Sequence, residues 1–570
     1  MGGVGNFMVG LDEGVSGIFS QWNVYTTALA GLLAAGVTYR VATSVDPDTH
    51  PLRLARQSLP NLVRQEGESA LYRSSELGGG ELRTGLDVRR KGASKWSRGS
   101  DGDLRDVWRQ VVEGAEERAG VKAGTRGKLL SIHGAQRVTE HKIEEITRSI
   151  NLIGQHISQQ GGIRVAIYLP NSVELLVTLF ACSFYPNLTT ILVPFGASPD
   201  ELITMLRRSA ADTVVAAPGT FPFDSVAKAY PSLRNLIWVL DEGSSHMDWN
   251  EVPEGMGGSV NVTTWQEIID ESPLQAGLEL PEDSHEPGPI VVFWQGKPGT
   301  LEEMVKFTQK NVVAGMGAIL GSVPTNERIS PEDVLLPADS LANMYSLVVT
   351  LSALYSNASV AFNSVAGRST DLVLATQGVS PTILVAAPET LARVHQESSS
   401  KVTSGLQSAA LSSQLRTLTQ KGAFPSPNSF WGSFLAPVRP VLGSGASKLR
   451  LVFVAERADG GAPPLSSKQL AELRVFLGAR IVYALTAAGV AGPIAQTWLY
   501  DYRVFDEGPY SHFGPPSASV EVFLKDNGEH KTTDDKVEGE IVARGPSVAR
   551  GELPLGVNGR IREDNTLAYV

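Results

Sequence analysis

From residue 141 onward, runs of the kind that form buried strands alternate with runs at helical spacing, which confines this part of the chain to a parallel sheet covered on both faces. HKIEEITRSINLIGQHI sets Ile143, Ile146, Ile150 and Ile153 on one helical face. RVAIYLP then reads as a strand, SVELLVTLFACSFY as a helix, TTILVPF as a strand, PDELITMLRRS as a helix and DTVVAAP as a strand. The alternation resumes with the strands LIWVLDE and PIVVFW, the helix SLVVTLSALYS and the strands SVAFN and PTILVAAP. LRLVFVAE restarts a strand ahead of the amphipathic SSKQLAELRVFLG. From HFGPPSASVEVFLKD and EGEIVARGP on, short alternating strands separated by turns predict a small β-rich subdomain.

A chain of 570 residues exceeds one ordinary core, and 42% hydrophobic with 19% charged residues is the composition of a folded protein. The expected division is an N-terminal membrane anchor over 1–43, a partly disordered tether over 44–135 with one helix near Asp103 to Glu117, an α/β domain over 136–510 and the β-rich subdomain over 511–570. Residues Ser398 to Ser447, rich in Ser, Pro and Gly, read as a surface insertion. A net charge of -11 offers no broad cationic surface and argues against nucleic acid as a partner. Cys182 is the single cysteine, which excludes an internal disulfide and suits a reducing compartment. The nine histidines form no HExxH or HxH pair, so no metal site is expected.

Residues 14–39 carry no charged side chain, a length that crosses roughly 30 Å of hydrocarbon as a helix. Trp22 and Tyr25 at one end and Tyr39 and Arg40 at the other stand as interfacial anchors. A single-pass anchor over Trp22–Tyr39 is expected, with an interfacial helix as the alternative. Arg40, Arg53 and Arg56 after the span put the bulk of the chain on the cytosolic side. The endoplasmic reticulum is the expected membrane, with the peroxisome or lipid droplet as alternatives.

YLPNSVELLVTLFAC, VSPTILVAAPETLARV, GGAPPLSS after LRLVFVAE, YALT after RIV, HFGPPSASVEVFLKD, GEIVARGPSV and GRIREDNTLAYV occur in that order. In this order they resemble the large N-terminal domain of the adenylate-forming (AMP-binding) superfamily, most nearly its long-chain fatty acyl-CoA synthetases. The resemblance implies an acyl-CoA-synthetase-like α/β fold, with two mostly parallel sheets, helices and a small β subdomain. It also implies adenylation of a carboxylate with MgATP, followed by acyl transfer to CoA.

Fold alone does not carry that chemistry, so each position is compared with the family's pattern. The family's phosphate loop, YTSGTTGxPKG, falls on FWQGKPGTLEE. Here Gly296 and Gly299 keep the bend and Lys297 offers one cationic contact, while Glu302 stands at the lysine position. Proline supplies no N–H and glutamate repels triphosphate. In the family's Y-G-x-T-E turn, Tyr483 and Thr486 remain, but Ala487 replaces the magnesium-binding glutamate. In T-G-D-x-G-R, Val557 replaces the aspartate that holds the ribose hydroxyls. PADS, Pro337 to Ser340, stands where a histidine lines the family's acyl pocket. Gly461, Ala462 and Pro463 keep the turn beside adenine. The chain ends at Val570, where the family's hinge begins, so the resemblance implies that the C-terminal domain and its catalytic lysine are lacking from this sequence.

The expectation is a membrane-anchored, catalytically impaired acyl-CoA synthetase homologue that acts in lipid metabolism as a binding or scaffold protein. Fatty acid or acyl-CoA is its expected ligand and an active synthetase a candidate protein partner. No catalytic residue and no cofactor is expected. ATP, Mg and CoA enter only under the alternative of an active fatty acid–CoA ligase with a remodelled site. A third alternative is an assembly factor recruiting through residues 44–130.

Overall fold

The computed structural model describes residues 23–42, 46–89, 94, 96–117, 120–134, 137–240, 260–273, 277–282, 285–294, 303–443, 448–505 and 508–570. Three sheets organise them. The first has seven strands in the order Glu303–Phe307, Ile290–Trp294, Thr189–Leu192, Arg164–Tyr168, Thr213–Ala216, Asn235–Trp238 and Asn261–Thr264. All its pairs are parallel except the first, in which Ile290 faces Phe307 and Trp294 faces Glu303. The second has eight strands: Ala495–Gln496, Arg480–Thr486, Leu451–Arg457, Ile383–Ala386, Val334–Pro337, Ser359–Asn363, Leu129–His133 and Arg137–His141. It is parallel except at its two edges.

Helices between these sheets bury both of their surfaces. Val173–Phe184 has eleven buried residues, from Val173 to Phe184 apart from Glu174, and Met344–Tyr355 is buried through Leu354. Such helices, apolar all round, fit only between two layers. One continuous core joins Ile167, Val215 and Val292 of the first sheet to Leu335, Ile383 and Phe453 of the second. Local chemistry sets the helix starts: Ser198 caps Pro199–Ser209 reciprocally with Glu201, with proline in the first turn. The close approach of the helix Gln309–Ser322 to the 491 backbone requires Gly315, because a Cβ there would sit 1.9 Å from the Ala491 carbonyl oxygen.

The third sheet is antiparallel and runs Ser58–Pro60, Tyr72–Ser74, Glu521–Lys525, Val537–Arg544, Glu552–Ile561, Leu567–Tyr569 and His512–Gly514. It is the β-rich subdomain expected at the end of the chain, completed by two strands from near its start.

Those two strands correct the reading of 44–135 as a tether. Gln57 Nε2 donates to buried Asp501 at 2.7 Å, and Ser58 pairs with Ser74. The helix Leu104–Glu113 lies in the main core, with Trp108 fully buried 5.1 Å from the Phe180 ring. Leu129–His133 is a strand of the second sheet, so that sheet begins before residue 136. The Arg-, Asp- and Gly-rich composition masked short strands whose partners lie more than four hundred positions away.

The single-pass anchor is also corrected. Val24–Ala42 is a helix of 19 residues, but among the described residues no helix is long and apolar enough to cross a membrane. Thr26, Thr27, Gly31, Gly36, Thr38 and Arg40 interrupt its apolar run. Trp22 lies outside the described residues, as do the side chains of Tyr39 and Arg40.

Candidate functional site

In a doubly wound sheet, ligands gather beyond the carboxyl ends of the parallel strands. At those ends the structure places two neighbouring cavities. One, of about 370 Å³, is lined by Glu456, Arg457, Asp459, the turn Gly460–Ala462, Tyr510, His530, Val557 and Tyr569 among others. The other, of about 100 Å³, has apolar walls from Phe195, Val292, Phe293, Trp294 and Met344, and polar groups from Ser340, Asn343 and Arg368.

Arg457 lines both. It ends the strand Leu451–Arg457 and reaches Asp339 at 3.2 Å, the two side chains being 10% and 5% exposed. Asp339 also accepts from Asn343 Nδ2 at 2.6 Å and from the Ser340 N–H at 2.9 Å. Asn171, from the first sheet's side, donates to the Asp339 carbonyl at 2.9 Å and so ties the two halves together at this point. Arg368 bonds Glu389 at 3.2 Å and the Gly460 carbonyl at 3.4 Å, linking the glycine turn to the second cavity.

The adenine and ribose positions implied by the resemblance do come together: Gly461, with φ +78°, Ala462 and Val557 line the larger cavity. Pro463 follows in the same turn and is not among the lining residues. Tyr483 is fully buried behind the cavity. Its ring stacks on Phe513 with centroids 5.3 Å apart, and its hydroxyl donates to Glu456 at 3.0 Å and accepts from the Leu465 N–H at 3.1 Å. Thr486 is likewise buried, its hydroxyl donating to the Gly492 carbonyl at 3.0 Å. Ala487 is 6% exposed and presents only a methyl group. Gly296, Lys297, Gly299 and Glu302 lie outside the described residues; the flanking strands pair from Trp294 to Glu303, so the loop connects a β-hairpin.

Motif order does not point to Glu456 and Arg457, yet the sequence carries a signal for them: charged residues between an apolar strand and a glycine turn, VFVAERADGG. Burial pushes the Glu456 carboxyl up to about 7, opposed by the Tyr483 hydroxyl and reinforced by the Glu389 charge. The cavity beside the glycine turn therefore contains two carboxyl groups, from Glu456 and Asp459, and an arginine already engaged by Asp339.

Residues 304–552 match the family model described as AMP-binding enzyme. The chain has the fold of the AMP-binding, adenylate-forming enzymes. Among solved structures, the long-chain-fatty-acid-CoA ligase FadD1 from Archaeoglobus fulgidus is similar with a TM-score of 0.57 at 14% identity, over 86% of this chain and 87% of that one. The anthranilate CoA ligase AuaEII bound to anthranoyl-AMP also gives 0.57 at 14% identity, over 82% and 77%. In sequence, the uncharacterized protein YHR045W of Saccharomyces cerevisiae is 22% identical over 533 residues, 88% of this chain and 86% of that protein. Human Long-chain-fatty-acid--CoA ligase 1 is 23% identical over 401 residues, 68% of this chain and 53% of the ligase, so the match spans about half of that enzyme.

Proposed function

We propose that this chain is an acyl-CoA synthetase homologue that binds an acyl chain or acyl-CoA without MgATP-dependent adenylation, and acts in lipid metabolism as a binding or scaffold protein. The observation that carries the reading is the engagement of Tyr483, whose ring lies on Phe513 and whose hydroxyl is bonded to Glu456 and Leu465. Val557 adds an apolar side chain at the ribose position, and a buried unpaired ribose hydroxyl loses its bonds to water without recovering them. In the same cavity Arg457 is already engaged by Asp339, and Glu456 supplies a buried carboxyl where a polyphosphate needs a cation. These residues do not fit MgATP, and no adenylation step is derived through it.

This reading assigns the acyl side to Phe195, Val292, Phe293, Trp294 and Met344 of the second cavity. An active synthetase is the protein partner this reading favours. Incubating the purified chain with MgATP, CoA and a long-chain fatty acid tests it: no acyl-CoA is expected, and steady turnover overturns it. The second reading, an active long-chain fatty acid–CoA ligase, is favoured by the family match and by the named activities of the relatives. Recruitment through 44–130 is not retained as a separate function, because those residues contribute strands and core to the body.

A further inference from the structure

Residues 398–455 carry Lys401, Arg416, Lys421, Arg439, Lys448 and Arg450 and no Asp or Glu, in a chain whose net charge is -11. This acid-free stretch contains the helices Gly405–Lys421 and Phe430–Phe434, held together by Gln414 Nε2 donating to Ser429 Oγ at 2.8 Å. Their inner sides pack on Ala471, Val475 and Tyr502 through Leu418, Leu435 and neighbours. Their outer side leaves Phe430 72%, Trp431 39% and Leu406 61% exposed. Phe430 and Trp431 lie edge to face with centroids 5.4 Å apart, forming an aromatic ridge. Lys401 and Arg416 are exposed in the same stretch, Arg416 on the helix Gly405–Lys421.

A second apolar surface joins the body at this place. The Asp48 N–H donates to the carbonyl of Gly422, the residue that ends the helix Gly405–Lys421. The helix Val24–Ala42, with Val24, Tyr25, Leu29, Leu32, Leu33 and Val37 all more than half exposed, ends five residues before Pro47. Five residues span at most about 18 Å. The end of the helix Val24–Ala42 thus lies within that reach of Pro47, whose neighbour Asp48 bonds Gly422.

We propose that this face, built on the ridge Phe430–Trp431 and the acid-free stretch 398–455, docks on the surface of a lipid bilayer bearing anionic headgroups. Exposed Trp and Phe beside cations suit the interfacial zone, where aromatic rings sit among headgroups and Lys and Arg meet negative charge. Of the cations of this stretch Arg450 is held by Asp333 and Glu327, and the exposed Lys401, Arg416 and Lys448 favour an anionic surface. The contact is peripheral and requires no spanning helix.

Flotation of the full chain with vesicles of phosphatidylcholine alone, or mixed with phosphatidylserine, tests this. The chain floats with the mixed vesicles. Phe430→Ser with Trp431→Ser lowers the partition about tenfold, and Lys401→Glu with Arg416→Glu removes the preference for phosphatidylserine. Because the aromatic pair alters a partly packed helix, Trp431→Phe serves as a second variant: quenching of tryptophan fluorescence by brominated lipid falls relative to the native chain. No flotation, or flotation indifferent to both pairs of substitutions, overturns the proposal. Loss of a self-associated species by the aromatic variant with vesicle binding unchanged also overturns it, in favour of a protein interface.

Discussion

The Tyr483 hydroxyl lies 3.0 Å from the Glu456 carboxylate, inside the wall of the cavity formed by the glycine turn 460–462 and Val557. The bond joins adjacent strands of the second sheet, Leu451–Arg457 and Arg480–Thr486, at their carboxyl ends. A side chain that the sequence offers as an adenine platform thus serves to close the sheet's end.

Burial of the Glu456 carboxyl, which the bond to Tyr483 only partly offsets, makes stability depend on pH between the ordinary carboxylate value and neutrality. The Glu456 carboxyl sits at about 7 in the folded chain against an ordinary 4.5. A carboxyl raised by folding holds its proton more tightly in the folded state, so its contribution is full below the ordinary value. It is lost as pH rises to about 7, with no further change above. The loss is on the order of 3 kcal/mol. Glu456→Gln removes this slope, and the difference in urea-unfolding free energy between the two proteins from pH 4.5 to 7.5 measures it.

Tyr483→Phe deletes the acceptor of the buried Leu465 N–H as well as the donor to Glu456. A cost of about 1–3 kcal/mol is expected from the groups left unpaired, read as a lower midpoint in chemical denaturation. A neutral result would mean that water replaces the hydroxyl.

Arg457→Ala strands Asp339, itself 4% exposed, between the two cavities. Breaking such a pair from one side costs about 3–5 kcal/mol. Adding Asp339→Asn to the same chain recovers part of the loss, so the thermal midpoint of the double variant lies above that of Arg457→Ala.

Residues 46–80 behave as part of the folded body. Asp501 is buried and, despite the opposing effect of its burial, Arg503 and His512 hold its carboxyl well below the usual carboxylate range, with Gln57 adding a hydrogen bond. Its contribution is present above the ordinary carboxylate value and disappears as pH falls into the acid range. Gln57→Ala is expected to cost about 1–2 kcal/mol at neutral pH. Limited proteolysis spares this segment in the native chain and opens it in the variant.

The parts of this architecture that the sequence reveals are those whose signals are local. Ile143, Ile146, Ile150 and Ile153 mark their helix by spacing, and RVAIYLP and DTVVAAP mark adjacent parallel strands by continuous apolar content. Ser58–Pro60 and Tyr72–Ser74 are three residues each, too short for periodicity, and the pair joins the sheet through a strand near the other end of the chain. At the site, the order of motifs exposes the glycine turn and Val557. It does not expose Arg457, whose role depends on Asp339, 118 positions away. Nor does it show that Tyr483 is covered by Phe513, because burial is a property of the assembled sheets.

Titration calorimetry of the full chain with ATP, in the presence and absence of magnesium and a long-chain fatty acid, tests the central claim most directly. The account predicts no saturable heat at millimolar nucleotide. Micromolar, magnesium-dependent binding would contradict it, requiring Tyr483 and Glu456 to part and the cavity to be rebuilt around the triphosphate.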